Sequence, residues 1–386
     1  MRFFRRSAPP PPLPWNTEML VLGEKDGAFA AVRNSRVLIY WPHGFGDFVH
    51  LSYVIPLLDP SNEYFITRFG DDFVHLYDEG ESVTPMYSGE SSIGNGSALG
   101  APPHFGLDMD RIANRVERIE IPEPLRSRVR DAKIDLMLFS RYPEMTGRTP
   151  YPYHTKARFL ASNLVDPARL AQFDLSKPLR SSLAFRAPED AVRRVEARLR
   201  DAVAPREHLY LLSPGGHTQL RKIFPEQEVV AFAHEIRRRD PLARIVTVDE
   251  HTSDALGRER GLAPTTTDLF ANVGVPFAHV LVTLIRASHA YAGVASGPLH
   301  TALSIGGRPI VGIWLGHWPE YYDEPSPGAV HLVGPLVYRE KLDRRLGARS
   351  KAAAGVLPYS IVPFRKQPPR ALDVIEALER ISPRRP

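Results

Sequence analysis

The segment Ala292-Gly293-Val294-Ala295-Ser296-Gly297-Pro298-Leu299-His300-Thr301-Ala302-Leu303 narrows the folds open to this chain. An apolar strand stops at a small-residue turn and a helix begins at once. Gly297 lets the backbone come close to a ligand. Ser296 suits an N-cap and Pro298 the first helical turn. The unpaired N–H groups of such a helix start, with its positive dipole end, seat anions, above all phosphate. His300 stands one turn in, within reach of the same anion. The same residues also read as an ordinary capped strand-to-helix junction.

A second unit of this kind lies upstream. The strand Leu209 to Leu212 runs into Ser213-Pro214-Gly215-Gly216-His217-Thr218, then Arg221-Lys222-Ile223-Phe224-Pro225. Val229, Val230, Phe232, Ala233 and Ile236 then repeat with helical spacing. A glycine-rich turn with a hydroxyl and two cations suits a diphosphate: backbone amides and Thr218 donate, and Lys222 brings compact positive charge. The other reading is a solvated basic loop.

Strands and helices alternate in two separate runs. The first holds Val37 to Tyr40, a helix from Phe48 to Leu58, Tyr64 to Ile66, Val116 to Ile121 and Ile134 to Phe139. The second holds a helix from Glu189 to Val203, the strands Leu209 to Leu212, Ile245 to Val248, His289 to Gly293 and Pro309 to Leu315, and a last helix near Ala371 to Ile381. This pattern predicts two doubly wound parallel sheets, with ligands at the carboxyl ends of their strands. The expected division is a Pro-rich, weakly ordered leader over 1–34, a first domain over 35–185, a second over 186–350, and a tail with a helix over 351–386. Pro178 to Pro188 marks the linker. Residues 80–106, rich in Ser, Gly and Pro, read as a long loop.

Composition bounds the function classes. A chain of 386 residues holds two domains of ordinary size. It has no cysteine, which excludes disulfides, thiolate metal sites and a cysteine nucleophile. There is no apolar run of spanning length. Met1 to Arg6 followed by Pro9 to Pro12 is not a secretory signal, so a cytoplasmic location is expected. The net charge of +5 comes from arginine clusters such as Arg193, Arg194, Arg198 and Arg200. They fall on helix faces and lack an aromatic-basic or recognition-helix signature, so no nucleic-acid partner is expected. Attraction to an anionic substrate, or peripheral contact with the inner membrane surface, fits better.

Gly44-Phe45-Gly46-Asp47-Phe48-Val49 opens like a dinucleotide fingerprint. Val49 fills the third glycine position, and no acid ends a second strand at the expected distance. A nicotinamide dehydrogenase is therefore not the reading.

Three pieces in order resemble the family 9 glycosyltransferases, the lipopolysaccharide heptosyltransferase family. Gly46-Asp47-Phe48-Val49-His50 with Pro56 is similar to its amino-terminal "GD…P" signature. Ser213-Pro214-Gly215-Gly216…Lys222-Ile223-Phe224-Pro225 is similar to its "PG…K-x-W-P" segment, with Phe224 for tryptophan. Ser296-Gly297-Pro298-Leu299-His300-Thr301-Ala302-Leu303 with Gly307-Arg308-Pro309 is similar to its "D-[ST]-G-x-x-H-x-A-A…G-x-P" segment, with Ala295 where the family carries an acid.

The resemblance implies an α/β fold of GT-B type: two Rossmann-like doubly wound domains facing a central cleft. It implies an inverting transfer from a nucleoside diphosphate sugar donor to a glycan or other hydroxyl acceptor, without metal or other cofactor. Asp47 matches the family's base, with His43 and His50 as runners-up. Asp47 also reads as an N-cap of its own helix. His43, Gly44 and Gly46 fall on the acceptor side. Lys222 matches the residue that meets the departing diphosphate, beside Gly215, Gly216 and Thr218. Ser296, Gly297 and His300 form the opposite wall. Asp249 or Glu250, after the strand Ile245 to Val248, is placed for ribose hydroxyls or is a solvated loop acid. His317-Trp318-Pro319-Glu320-Tyr321-Tyr322 packs between domains or stacks on a sugar or base. Two alternatives stay open: a non-catalytic nucleotide-sugar-binding protein, and another GT-B enzyme such as a nucleotide-sugar epimerase.

Overall fold

Twelve strands among the described residues sort into two six-stranded sheets. The computed structural model describes residues 18–22, 32–40, 45–67, 73–75, 117–120, 130–131, 133, 136–139, 155–181, 187–215, 223–248, 263–339 and 359–382. The first sheet contains β1 (Glu18–Leu22), β2 (Arg36–Tyr40), β3 (Glu63–Thr67), β4 (Phe73–His75), β5 (Glu117–Glu120) and β6 (Leu136–Phe139), in the order β4-β3-β2-β6-β1-β5. Its four central strands are parallel, and an antiparallel strand closes each edge. Helix α1 (Phe45–Ser52) follows β2, and α2 (Lys156–Leu164) and α3 (Pro167–Leu170) come after the last strand.

The second sheet is parallel throughout, in the order β12-β11-β10-β9-β7-β8. Its elements run α4 (Glu189–Ala202), β7 (His208–Ser213), α5 (Glu226–Arg239), β8 (Ala243–Thr247), α6 (Thr266–Phe270), α7 (Phe277–Ala287), β9 (Ala290–Val294), α8 (Gly297–Ile305), β10 (Ile310–Trp314), α9 (Pro319–Tyr322), β11 (Ala329–Val333), α10 (Pro335–Arg339), β12 (Ile361–Pro363) and α11 (Ala371–Ile381). Every residue of β9, β10 and β11 is buried, as expected for parallel strands covered on both faces. Successive side chains serve different cores. Leu211 and Tyr291 join a core shared with Val49 and Leu160 of the first half, whereas Leu212 and Ala292 pack with Phe232 of α5 and Val374 of α11.

Gly293 shows how tightly the central strands sit. A Cβ there would come within 2.9 Å of the Ser213 Cβ on the neighbouring strand. The first core runs through α1 and α2 into α7, α8 and one face of the second sheet.

Four features depart from the expected organisation. The stretch expected as a leader contains β1, which sits between β5 and β6. Helix α1 ends at Ser52, well short of Leu58. Its last turn tightens through Val54 N–H to Leu51 C=O (2.8 Å) into a single 3-10 turn at Ile55–Leu57. Pro56 lacks the N–H that would continue the helical ladder back to Ser52. The expected tail is part of the second half: β12 pairs with β11, and α11 lies on the sheet beside α5. Strand β11 was not expected at all. The 80–106 loop lies outside the described residues.

Candidate functional site

Strand β7 pairs on one side with β8 and on the other with β9, so the chain direction of winding reverses between β7 and β9. Ligands of open α/β sheets bind at such a switch point, beyond the carboxyl ends of the strands. Both singled-out turns leave the sheet here. Ser213 and Gly293 are register partners; Gly215 follows the first and Ser296 the second.

The base of the Gly215-to-Lys222 loop is pinned. Phe224 N–H donates to the Pro214 carbonyl (2.7 Å), and the Phe224 ring is fully buried in the second core. An aromatic side chain in the "K-x-W-P" position is thus a core anchor that fixes where the loop begins and ends. Gly215 is exposed, and among the described residues nothing lies within 4 Å of where its Cβ would stand. Gly216, Thr218, Lys222, Asp249 and Glu250 lie outside the described residues, as do His43 and Gly44.

Helix α8 begins at Gly297 with Ser296 at its N-cap and Pro298 in the first turn. The Ser296 hydroxyl donates back to the Val294 carbonyl (3.1 Å) and does not cap the helix amides. Gly46, in the first turn of α1, packs directly on this helix start. A Cβ at Gly46 would lie 3.0 Å from Gly297 Cα, 3.2 Å from Gly297 N and 3.1 Å from His300 Cδ2. Two glycines, one from each half, bring two helix N-termini together. Asp47 is the third residue of α1, inside the helix and one place beyond Gly46. It is not the residue preceding the helix, as an N-cap reading required. Its side chain lies outside the described residues.

Behind this seam lies a buried polar cluster. His300 Nδ1 sits 2.8 and 3.0 Å from the two carboxylate oxygens of Asp323, which has no exposed surface. The Tyr359 hydroxyl donates to the Asp323 backbone carbonyl (2.6 Å) and holds that residue in place. The His300 ring lies parallel to Tyr322, with centroids 6.1 Å apart. His50 of α1 comes within 4.7 Å of it, tilted. His50 is buried, and among the described residues neither ring nitrogen has a hydrogen-bond partner. Burial pushes its imidazole well below the usual histidine range, and the charges of His300 and Lys156 push the same way.

His50, His300 and Asp323 are a set of metal-ligand type, with ligand atoms all within 4.8 Å of one another. His300 Nδ1 lies at hydrogen-bond distance from the Asp323 carboxylate, His50 Nδ1 stands 3.9 Å from it, and the Lys156 charge pushes the His50 imidazole toward its neutral form.

The next residue, Glu324, is also buried and ties the two halves together. It accepts from Thr155 Oγ1 (2.6 Å), Arg158 Nε (2.9 Å) and Nη2 (3.0 Å), and from Leu179 N–H (2.9 Å). Arg158 also donates to the carbonyls of Leu175 and Lys177. Thr155 also caps α2 by accepting from Arg158 N–H. Across the same interface the Tyr53 and Ser304 hydroxyls meet at 2.5 Å. In the aromatic segment, Trp318 and Tyr322 are buried, and the Lys156 ammonium stands 4.1 Å over the Tyr322 ring. Helix α9 packs on α2, so this segment takes the packing role between halves.

Sequence reasoning found His300 and the turns but missed Asp323, Glu324, Arg158 and Lys156. The available signal was the adjacent pair Asp323-Glu324 directly after an aromatic run, where two acids without a local cation call for partners elsewhere.

No protein-family model and no curated protein sequence matches the chain. Among solved structures it is similar to a glycosyl transferase of family 9 from Veillonella parvula DSM 2008. That alignment covers 91% of this chain and 99% of the other at 13% identity, with a TM-score of 0.52. The ADP-heptose lipopolysaccharide heptosyltransferase II of E. coli aligns over 83% of this chain and 99% of its own, at 13% identity and a TM-score of 0.49. The chain therefore has the α/β fold of GT-B type found in the Veillonella transferase. No helix among the described residues is long and apolar enough to cross a membrane.

Proposed function

We propose that this chain is an inverting glycosyltransferase that needs no metal ion. It moves a sugar from a nucleoside diphosphate donor onto a hydroxyl of a glycan or another acceptor. The observation that carries this reading is the meeting of two helix starts, Gly46 of α1 and Gly297 of α8, at the switch point of the second sheet. Two positive dipole ends that converge favour an anion between them. The first half takes the acceptor. The second holds the donor. The protein works in the cytoplasm, with peripheral contact at the inner membrane surface.

The roles follow from the family resemblance. Gly215, Gly216, Thr218 and Lys222 hold the diphosphate from the β7 side; Ser296, Gly297 and His300 hold it from the β9 side. Glu250 takes the ribose hydroxyls. Asp47, with His43 and Gly44 nearby in sequence, accepts the proton of the acceptor hydroxyl. That oxygen attacks the anomeric carbon from the face opposite the diphosphate. The anomeric C–O bond breaks, and its electron pair leaves with the diphosphate, whose charge Lys222 meets.

One residue favours a second reading. Ala295 is buried where the resembled family carries an acid, which suits a nucleotide-sugar-binding protein without turnover. A thermal-shift screen over nucleoside diphosphates and nucleotide sugars, followed by assay of donor hydrolysis, separates the two. A ligand that binds only the native state raises its melting point. Lys222→Ala is expected to weaken nucleoside diphosphate binding by about 1.5–3 kcal/mol, the usual worth of a charge-assisted contact. Equal affinity of variant and wild type in calorimetry would remove Lys222 from the site. Binding without hydrolysis or transfer would leave the non-catalytic reading.

A further inference from the structure

We propose that Asp323 is a positioning residue: it holds His300 with one ring nitrogen committed and presents the other to the departing diphosphate. This rests on the donor reading above and adds a residue that neither the motifs nor the family resemblance supplies.

The geometry is specific. Asp323 lies just beyond α9, and its carboxylate has no exposed surface. Both its oxygens lie at hydrogen-bond distance from a single atom, His300 Nδ1. A carboxylate buried this deeply is unfavourable without a donor, so the proton of the pair is held between them. The imidazole then carries its proton on Nδ1, which leaves Nε2 as the ring position for chemistry. Nε2 is bonded to Cδ2, and Cδ2 is the atom that faces Gly46 across the seam, where Gly46 meets Gly297. The Cδ2 side of the ring therefore lies against the junction of the two helix starts, and Nε2 is the ring nitrogen turned away from the carboxylate.

The surroundings fix the ring in that attitude. Tyr322 lies parallel to it on one side and His50 leans on it from α1. The charged and titratable groups that face it are Asp323 and Tyr322 from the α9 region, His50 from α1, and Lys156 from α2 through the Tyr322 ring. Seen from Nε2, the buried Asp323 carboxylate stands on the far side of the ring. An Nε2–H donor makes a charge-assisted hydrogen bond to an anionic oxygen. It is also in place before the leaving group gathers charge, which is where preorganised donors act. The logic is that of an oriented base–carboxylate pair, applied to a leaving group.

The test begins with the wild-type protein labelled with 15N-histidine. A two-bond 1H–15N correlation spectrum reads which ring nitrogen carries the proton. The expected result is Nδ1 protonated in the free protein, with the Nε2 signal shifting when a nucleoside diphosphate saturates it. A neutral ring protonated on Nε2 alone would overturn the proposal without any variant.

Calorimetry with ADP, GDP, UDP and CDP then compares Asp323→Asn, His300→Gln and the double variant, each checked for native circular dichroism. Each single change should weaken the tightest-binding nucleotide on the order of tenfold to a hundredfold. The double variant should lose no more than the worse single one, because both act through one contact. Unchanged affinity in Asp323→Asn, or losses that add, would overturn it. If Asp323→Asn does not fold, the tautomer spectrum and His300→Gln still decide. Failure of the wild type to bind any of the four nucleotides defeats the donor reading instead, and the tautomer result is unaffected.

Discussion

Burial decides the state of single residues in this protein. His331 accepts from Trp314 Nε1 (2.9 Å), which requires a lone pair on Nδ1, and burial pushes its imidazole down to about 4. Asp323 acts against that shift more weakly. Unfolded, the same group takes its proton near pH 6.5. Between roughly pH 6.5 and pH 4 the unfolded chain therefore binds more protons, and stability is lost as the pH falls through that window. Above it the contribution is level. One fully open window costs about 1.4 kcal/mol per pH unit for each such group, and His50 adds in the same direction. Urea unfolding at pH 7.5, 6 and 5 should show the midpoint dropping across the acid range. A flat profile would mean that neither histidine is held neutral. Asp47 tests a role and not a shift. Asp47→Asn keeps the shape of the side chain and loses only a first-turn charge worth about 0.3–1 kcal/mol, so the fold should persist while turnover falls by about 10²–10⁴-fold. Near-normal transfer rates would reject Asp47 as the base.

At the scale of elements, strand–turn–helix units were legible because each carries its own punctuation. Helix α11 falls at Ala371–Ile381 as read, since its apolar positions repeat at helical spacing between Pro-rich and polar flanks. Strands β1, β4, β11 and β12 were not legible. Glu18–Leu22 is five residues long beside a proline run, Ala329–Val333 interrupts its apolar run with His331, and Ile361–Pro363 is three residues ending in proline. Each becomes a strand through a neighbour that pairs with it, which local pattern does not report. The site divides in the same way. Ser296, Gly297 and His300 share one turn and were read together, whereas Asp323 lies 23 residues beyond His300 and reaches it only through the fold. The Gly46 contact gives a test of the seam. In an ordinary helix Gly→Ala gains up to about 1 kcal/mol. Here the new methyl would press on Gly297 backbone at 3.0–3.2 Å, and overpacking of that sort costs about 1–3 kcal/mol. Gly46→Ala should therefore lower the urea midpoint. A rise would show that α1 and α8 are not in close contact in solution.

For the whole molecule, the question is what makes two sheets behave as one structure. The first core continues from α1 and α2 into α7 and α8, so apolar burial already joins the halves. Apolar contact alone tolerates sliding; the Arg158–Glu324 pair does not. Arg158 approaches Glu324 in a fork, Thr155 and Leu179 N–H complete the carboxylate, and both charges are almost wholly buried, at 3% and 1% side-chain exposure. A buried pair of this kind adds little net stability over an apolar replacement, but loss of one partner leaves an uncompensated charge, at a cost of about 3–5 kcal/mol. Glu324→Gln strands the Arg158 guanidinium in this way. It should lower the unfolding free energy by that amount, read by urea denaturation, whereas Arg158→Met with Glu324→Leu should recover most of it. If the single variant matches wild type, water reaches Arg158 and the halves separate readily in solution. If the double variant is as unstable as the single one, the hydrogen bonds from Thr155 and Leu179, and not the charge pair, hold the halves in register.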